Sequence, residues 1–123
     1  EGNDVTIISY GAGVHWALET LEKNTGISAD LIDLRTLQPL DIDSIYASVR
    51  KTGKAIILQE DSLFGGIASD ISALINEHCF TSLDAPVKRV GSLETAIPFE
   101  PKLDQQYLAK SRFESELQNL ISF

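Results

Sequence analysis

Short apolar runs alternate with helical patterns along this chain, and the runs are too short and too continuous to be helices themselves. Val5 to Ser9 (VTIIS) is rich in β-branched residues and ends at Tyr10-Gly11-Ala12-Gly13, as a buried strand entering a turn would. Val14, Ala17, Leu18 and Leu21 then fall at i, i+3, i+4 and i+7, which predicts one apolar helix face, and Gly26 is placed to end that helix in a left-handed cap. Ala29 to Leu34 predicts the second strand. Asp41 suits an N-cap, with Asp43 in the first turn, a buried stripe of Ile42, Ile45, Tyr46 and Val49, and Arg50, Lys51 and Gly53 at the far end. Ala55 to Leu58 predicts a third strand running into Gln59-Glu60-Asp61. Gly65-Gly66 opens a helix whose core face is Ile67, Ile71, Leu74 and Ile75. Val87 to Val90 predicts a fourth strand, Gly91 to Asp104 a polar stretch broken by proline, and the last helix carries Phe113, Leu117, Leu120 and Ile121.

The order is β-α-β-α-β-α-β-loop-α, with room for one crossover helix between successive strands. That predicts an α/β fold of three layers, α/β/α, around a mostly parallel sheet of four or five strands in the spatial order 2-1-3-4, with strand 2 at an edge. Function in such a sheet collects where strands end and helices begin. The stretch from Asp33 through Leu34, Arg35, Thr36, Leu37, Gln38, Pro39 and Leu40 to Asp41 lies at such a point.

Composition narrows the chemistry. The 123 residues suit one domain, and a net charge of −8 argues against nucleic acid and anionic membrane as partners and favours a basic one. The single cysteine, Cys79, excludes an internal disulfide and reads as packing between His78 and Phe80; no apolar run approaches a membrane span. The chain starts at Glu1, contains no methionine and enters a strand at once, so residues 1–123 are expected to be a single domain cut from a longer protein.

The candidate sites are few. Gly11-x-Gly13 with Asp33 at the end of the next strand imitates a dinucleotide fingerprint, but position 16 is Trp, whose indole is expected to prevent the close helix–strand approach of the third glycine. His15 lies in a first helical turn with no partner in sequence, and His78 suits a helix C-terminus. Glu60 and Asp61 could bind a metal or share a proton, but consecutive strand residues point to opposite faces, so they read as solvated or interface-facing. Asp33 and Arg35, two apart, can pair on one face and shape the loop to Pro39. No nucleophile elbow, phosphate loop or zinc spacing occurs. No catalytic, cofactor-binding or metal residue is therefore expected in the chain.

Taken together, Asp33-Leu34-Arg35-Thr36-Leu37 with Pro39 and Asp41, Lys51-Thr52-Gly53, Glu60, Gly65-Gly66 with Ala68-Ser69-Asp70-Ile71, Leu83 to Val90 and Ile97-Pro98-Phe99 resemble the C-terminal domain of the transketolase family. More narrowly, they resemble that domain in the β-type E1 component of 2-oxo acid dehydrogenases of the pyruvate or branched-chain kind. Gln59 stands where many relatives have His, and Ala96 where a Pro is common.

The resemblance implies a parent enzyme that uses thiamine diphosphate and Mg²⁺ to decarboxylate a 2-oxo acid and passes the product to a lipoyl group on the E2 acyltransferase. In it, this domain binds no cofactor, is not catalytic alone, builds the subunit interface of an oligomer and offers E2 a docking surface, an interface or docking role in which Asp33, Arg35, Glu60, Asp61 and Phe64 are the residues expected to serve. It also implies a cytoplasmic or mitochondrial-matrix location, and a short antiparallel strand before Glu1 that pairs with strand 2. Two alternatives stand beside it: the same domain of a 1-deoxyxylulose-5-phosphate synthase type of thiamine enzyme, and a free-standing, flavodoxin-like small-ligand module.

Overall fold

Hydrophobic alternation along the central strands feeds two separate cores, one on each side of a sheet. The computed structural model describes all 123 residues. The elements are β1 (Val5–Ser9), α1 (Ala12–Lys23), β2 (Ala29–Asp33), α2 (Ile42–Thr52), β3 (Ala55–Ser62), α3 (Ile67–Cys79), a 3-10 turn at Phe80–Ser82, β4 (Lys88–Ser92), α4 (Pro101–Tyr107) and α5 (Lys110–Ile121). The four strands are all parallel, in the order β2-β1-β3-β4, so β2 is an edge as expected and all carboxyl ends lie at one end of the sheet.

Ile7, Ile56, Leu58 and Val90 pack with Ala17 of α1 and with Phe113, Leu117 and Leu120 of α5 on one face. Ile8 and Ile57 pack with Ile45 and Val49 of α2 and with Ile71 and Ile75 of α3 on the other. Cys79 is buried in this second core, where burial pushes its thiol above the usual value.

Helix α2 also binds the sheet through hydroxyls. Thr6 Oγ1 of β1 lies 2.7 Å from both Ser48 Oγ and Thr52 Oγ1, and Ser48 donates to Asp30 Oδ2 at 2.7 Å, where Lys51 Nζ closes the chain at 2.7 Å. An ionised carboxylate only accepts, so Ser48 must spend its proton on Asp30, and the hydroxyls line up donating toward that carboxylate. The buried face of α2 is accordingly Ile45, Ser48, Val49 and Thr52, with the expected Ile42 and Tyr46 only half-buried.

Four expectations are corrected. Leu18 is 45% exposed, and α1 buries Gly13, Ala17 and Thr20 instead, because the helix crosses the sheet at a glycine: a Cβ on Gly13 would fall 2.2 Å from Ser9 Oγ. Trp16, half-buried against the first core, therefore does not hold the helix away. Gly26 is not the cap of α1; Asn24 is, and its side-chain amide donates to Thr20 O at 2.9 Å. The stretch Gly91 to Asp104 is not all loop. Strand β4 continues to Ser92, and Glu100 caps α4 by accepting from Leu103 N, with Pro101 at the first helical position, where a missing N–H costs nothing.

Candidate functional site

The strand ends bring the sequence-derived set together on one end of the molecule. Asp33 ends β2, Glu60 and Asp61 lie in the last half of β3, and Phe64 sits in the loop from β3 to α3. Arg35 Nε donates to Asp33 Oδ2 at 2.7 Å while its side chain remains 88% exposed, so the pair spans two residues of one strand end as spacing predicted. The loop beyond runs through a cis Gln38–Pro39 bond to the α2 cap, where Ser44 N and Ser44 Oγ both donate to Asp41 and hold its carboxyl below the usual range. A groove of about 710 Å³ lies beside the pair, lined by His15, Leu18, Asp33 and Arg35 among others. Leu18, absent from the core, faces this groove.

At β3 the ladder to β4 shifts register between Leu58 and Ser62: Leu58 pairs with Val90, and pairing resumes only at Ser62 with Ser92. Such a bulge suspends strict alternation and re-aims side chains. Glu60 and Asp61 are both exposed, and the hydroxyl of Tyr10 after β1 is raised above its usual value first by burial and then by the negative charges of Asp61 and Glu60. Ser92 Oγ donates to Glu60 O, tying the bulge to β4. Phe64, 89% exposed, has its N–H donated to Glu94 Oε1 at 2.7 Å, and the chain beyond Glu94 adds exposed Ile97 and Phe99.

Sequence reasoning missed the role of Gln59. It is fully buried and holds the inside of the β3–α3 loop: Oε1 accepts from Ala68 N at 2.9 Å and Nε2 donates to Ser62 O at 2.5 Å. The only signal in the sequence was a polar residue continuing an apolar strand.

The fit of a magnesium diphosphate group can be tested on these residues. No three His, Cys, Asp or Glu side chains converge to hold a cation. The first amides of α1 are engaged in their own turn, Gly13 N to Tyr10 O and Val14 N to Gly11 O, and Ala68 N of α3 is taken by Gln59. The residues present do not fit such a group.

The profile for the transketolase C-terminal domain matches residues 1–112. The chain belongs to the transketolase C-terminal domain family. It is 39% identical over 127 residues to the 2-oxoisovalerate dehydrogenase subunit beta of Bacillus subtilis, covering 100% of this chain and 39% of that protein. The pyruvate dehydrogenase E1 component subunit beta of the same organism is 53% identical over 102 residues, which is 80% of this chain and 31% of that one. The acetoin:2,6-dichlorophenolindophenol oxidoreductase subunit beta is 44% identical over 110 residues, 88% of this chain and 32% of that one. Among solved structures, a split gene transketolase described as an inactive beta4 tetramer superposes with a TM-score of 0.83 at 28% identity, over 99% of this chain and 40% of that one. The transketolase C-terminal domain thus accounts for the fold, and the chain spans about two fifths or less of the length of these relatives. No helix is long and apolar enough to cross a membrane.

Proposed function

We propose that residues 1–123 form one domain of a longer E1-type protein, a thiamine diphosphate- and Mg²⁺-dependent 2-oxo acid dehydrogenase that acylates a lipoyl group. In this reading other domains or subunits hold the cofactor, and this one supplies assembly surface in an oligomer and a docking face for the E2 acyltransferase. The observation that carries it is the composition of the carboxyl end of the sheet. Where ligand-binding α/β proteins gather donors and nucleophiles, this chain presents an exposed Phe64, a solvent-facing Asp33–Arg35 pair and the carboxylates of Glu60 and Asp61. A net charge of −8 supports a basic partner there. The relatives named above support the 2-oxo acid dehydrogenase branch over the synthase one.

The test compares two assays on the full-length protein. Phe64→Ala and Arg35→Ala are expected to slow 2-oxo acid-dependent acylation of the lipoyl domain in the presence of E2, while decarboxylation with an artificial electron acceptor stays within about twofold of wild type. If both assays match wild type for both variants, the docking reading fails.

A further inference from the structure

Gln59 is the one long polar side chain that is fully buried, and its amide touches both sides of the loop that carries Phe64. Oε1 accepts from Ala68 N, the start of α3, at 2.9 Å; Nε2 donates to Ser62 O at 2.5 Å and to Asp61 O at 3.3 Å, the end of β3. The orientation is forced, because a flipped amide would set donor against the Ala68 N–H and acceptor against two carbonyls. The backbone closes over it at Gly66, where a Cβ would fall 2.2 Å from Gln59 Nε2 and 2.7 Å from Ser62 O. Between these anchors Ser69 Oγ donates to Leu63 O at 3.2 Å and Phe64 N donates to Glu94 Oε1, so the exposed aromatic stands on a loop fastened from beneath. An aromatic held in its bound shape loses less conformational freedom on docking, which is where affinity is gained.

We propose that the primary amide of Gln59 is the positioning residue of this surface: its paired donor and acceptor, rather than its bulk, hold residues 61–66 in the shape that presents Phe64. The inference rests on the reading of that loop as a docking face and assigns the residue that sets its geometry. Three replacements separate amide chemistry from volume. Gln59→Leu keeps bulk and loses both functions. Gln59→Glu keeps shape; its ionised form has acceptors only, and its protonated form regains one donor. Gln59→His in the neutral form again carries one donor and one acceptor.

The test is amide hydrogen exchange at Phe64 and Gly66 in the 123-residue chain between about pH 4 and pH 9, a span that covers a carboxyl raised by burial. The wild type is run at each pH, because Glu60 and Asp61 on β3, Tyr10 after β1, Asp70 in the first turn of α3, Arg89 of β4 against Ser69, and Glu94 after β4 surround the loop. Circular dichroism at each pH separates loop opening from global unfolding. At the alkaline end Gln59→Glu is expected to exchange about tenfold faster than wild type, the effect of one lost hydrogen bond, and to converge on wild type as it protonates. Gln59→Leu is expected to be fast throughout and Gln59→His near wild type. Equal, pH-independent rates in Gln59→Glu and Gln59→Leu, or a Gln59→Leu loop as slow as wild type, would overturn the proposal. In the full-length protein, Gln59→Glu is expected to weaken E2 binding at alkaline pH. E2 binding unchanged by an opened loop would overturn the positioning role, whereas E2 binding unchanged by both Phe64→Ala and Arg35→Ala would overturn the docking reading and leave the loop result standing.

Discussion

The Arg35 guanidinium lies 2.7 Å from the Asp33 carboxylate, yet the Arg35 side chain is almost wholly in solvent. An exposed pair of this kind contributes about 0–1 kcal/mol to stability. Arg35→Ala is therefore expected to shift the unfolding free energy of the domain by less than about 1 kcal/mol while weakening association in the full-length protein. Thermal unfolding and sedimentation measure the two effects separately. A loss of several kcal/mol in the domain would make Arg35 a strut of the fold instead.

Asp30 gives the fold a pH dependence of known sign. Burial works against its ionisation, but hydrogen bonds from Lys51 and Ser48 outweigh it and hold its carboxyl below the usual range. A depressed carboxyl stabilises the fold above the unfolded value of about 3.9, and that stabilisation is lost as pH falls through the lower folded value. Asp30→Asn is expected to cost about 1 kcal/mol near neutral pH, and the difference from wild type should close at the acid end of a denaturant series. A difference that stays constant with pH would contradict the role of the ionised group.

The fold was legible because its grammar is local. β-branched runs such as Val5–Ser9, the Asp41 cap and the left-handed Gly53 cap each declare an element within a few residues. The misreadings came from close approaches and side-chain caps that hydrophobic periodicity does not register. Gly13 rather than Leu18 meets the sheet because of Ser9 and Leu58, and Asn24 displaced Gly26 as a cap through its own side chain. Helix α4 was announced by Glu100 and Pro101, a signal hidden by Pro98 just before them. At the candidate site the Asp33–Arg35 spacing was readable, whereas the Gln59 clamp joins residues nine apart across a bulge that no periodicity announces.

Edge strand β2 offers a third test. Leu34 N donates to Ser9 O and Asp4 N to Ser28 O, so by alternation Asp30 and Ile32 face β1, and the N–H groups of Leu31 and Asp33 face outward without a strand partner. In the 123-residue chain their exchange is expected to be fast on dilution and to slow at high concentration through strand pairing. Extending the chain about ten residues upstream, where the resemblance implies an antiparallel strand, is expected to slow them at every concentration. Slow exchange of both amides in the dilute 123-residue chain would contradict an open edge.

Isolated from other domains, the chain is expected to bind thiamine diphosphate and Mg²⁺ more weakly than about millimolar, since its helix-start amides are internally engaged and no carboxylate cluster is present. Calorimetric titration checks this, and tighter binding would show a cradle that forms only with ligand.

The most direct measurement is hydrogen exchange of residues 1–123 within the full-length assembly, compared with the same residues in the isolated chain. Protection is expected to rise at the carboxyl end of the sheet, over Arg35 to Pro39, Asp61 to Gly66 and Leu93 to Phe99. Protection confined to the groove of about 900 Å³ between α3 and β4, around Ala73, Phe80 and Val87, with the strand ends unchanged, would contradict the assignment of this surface.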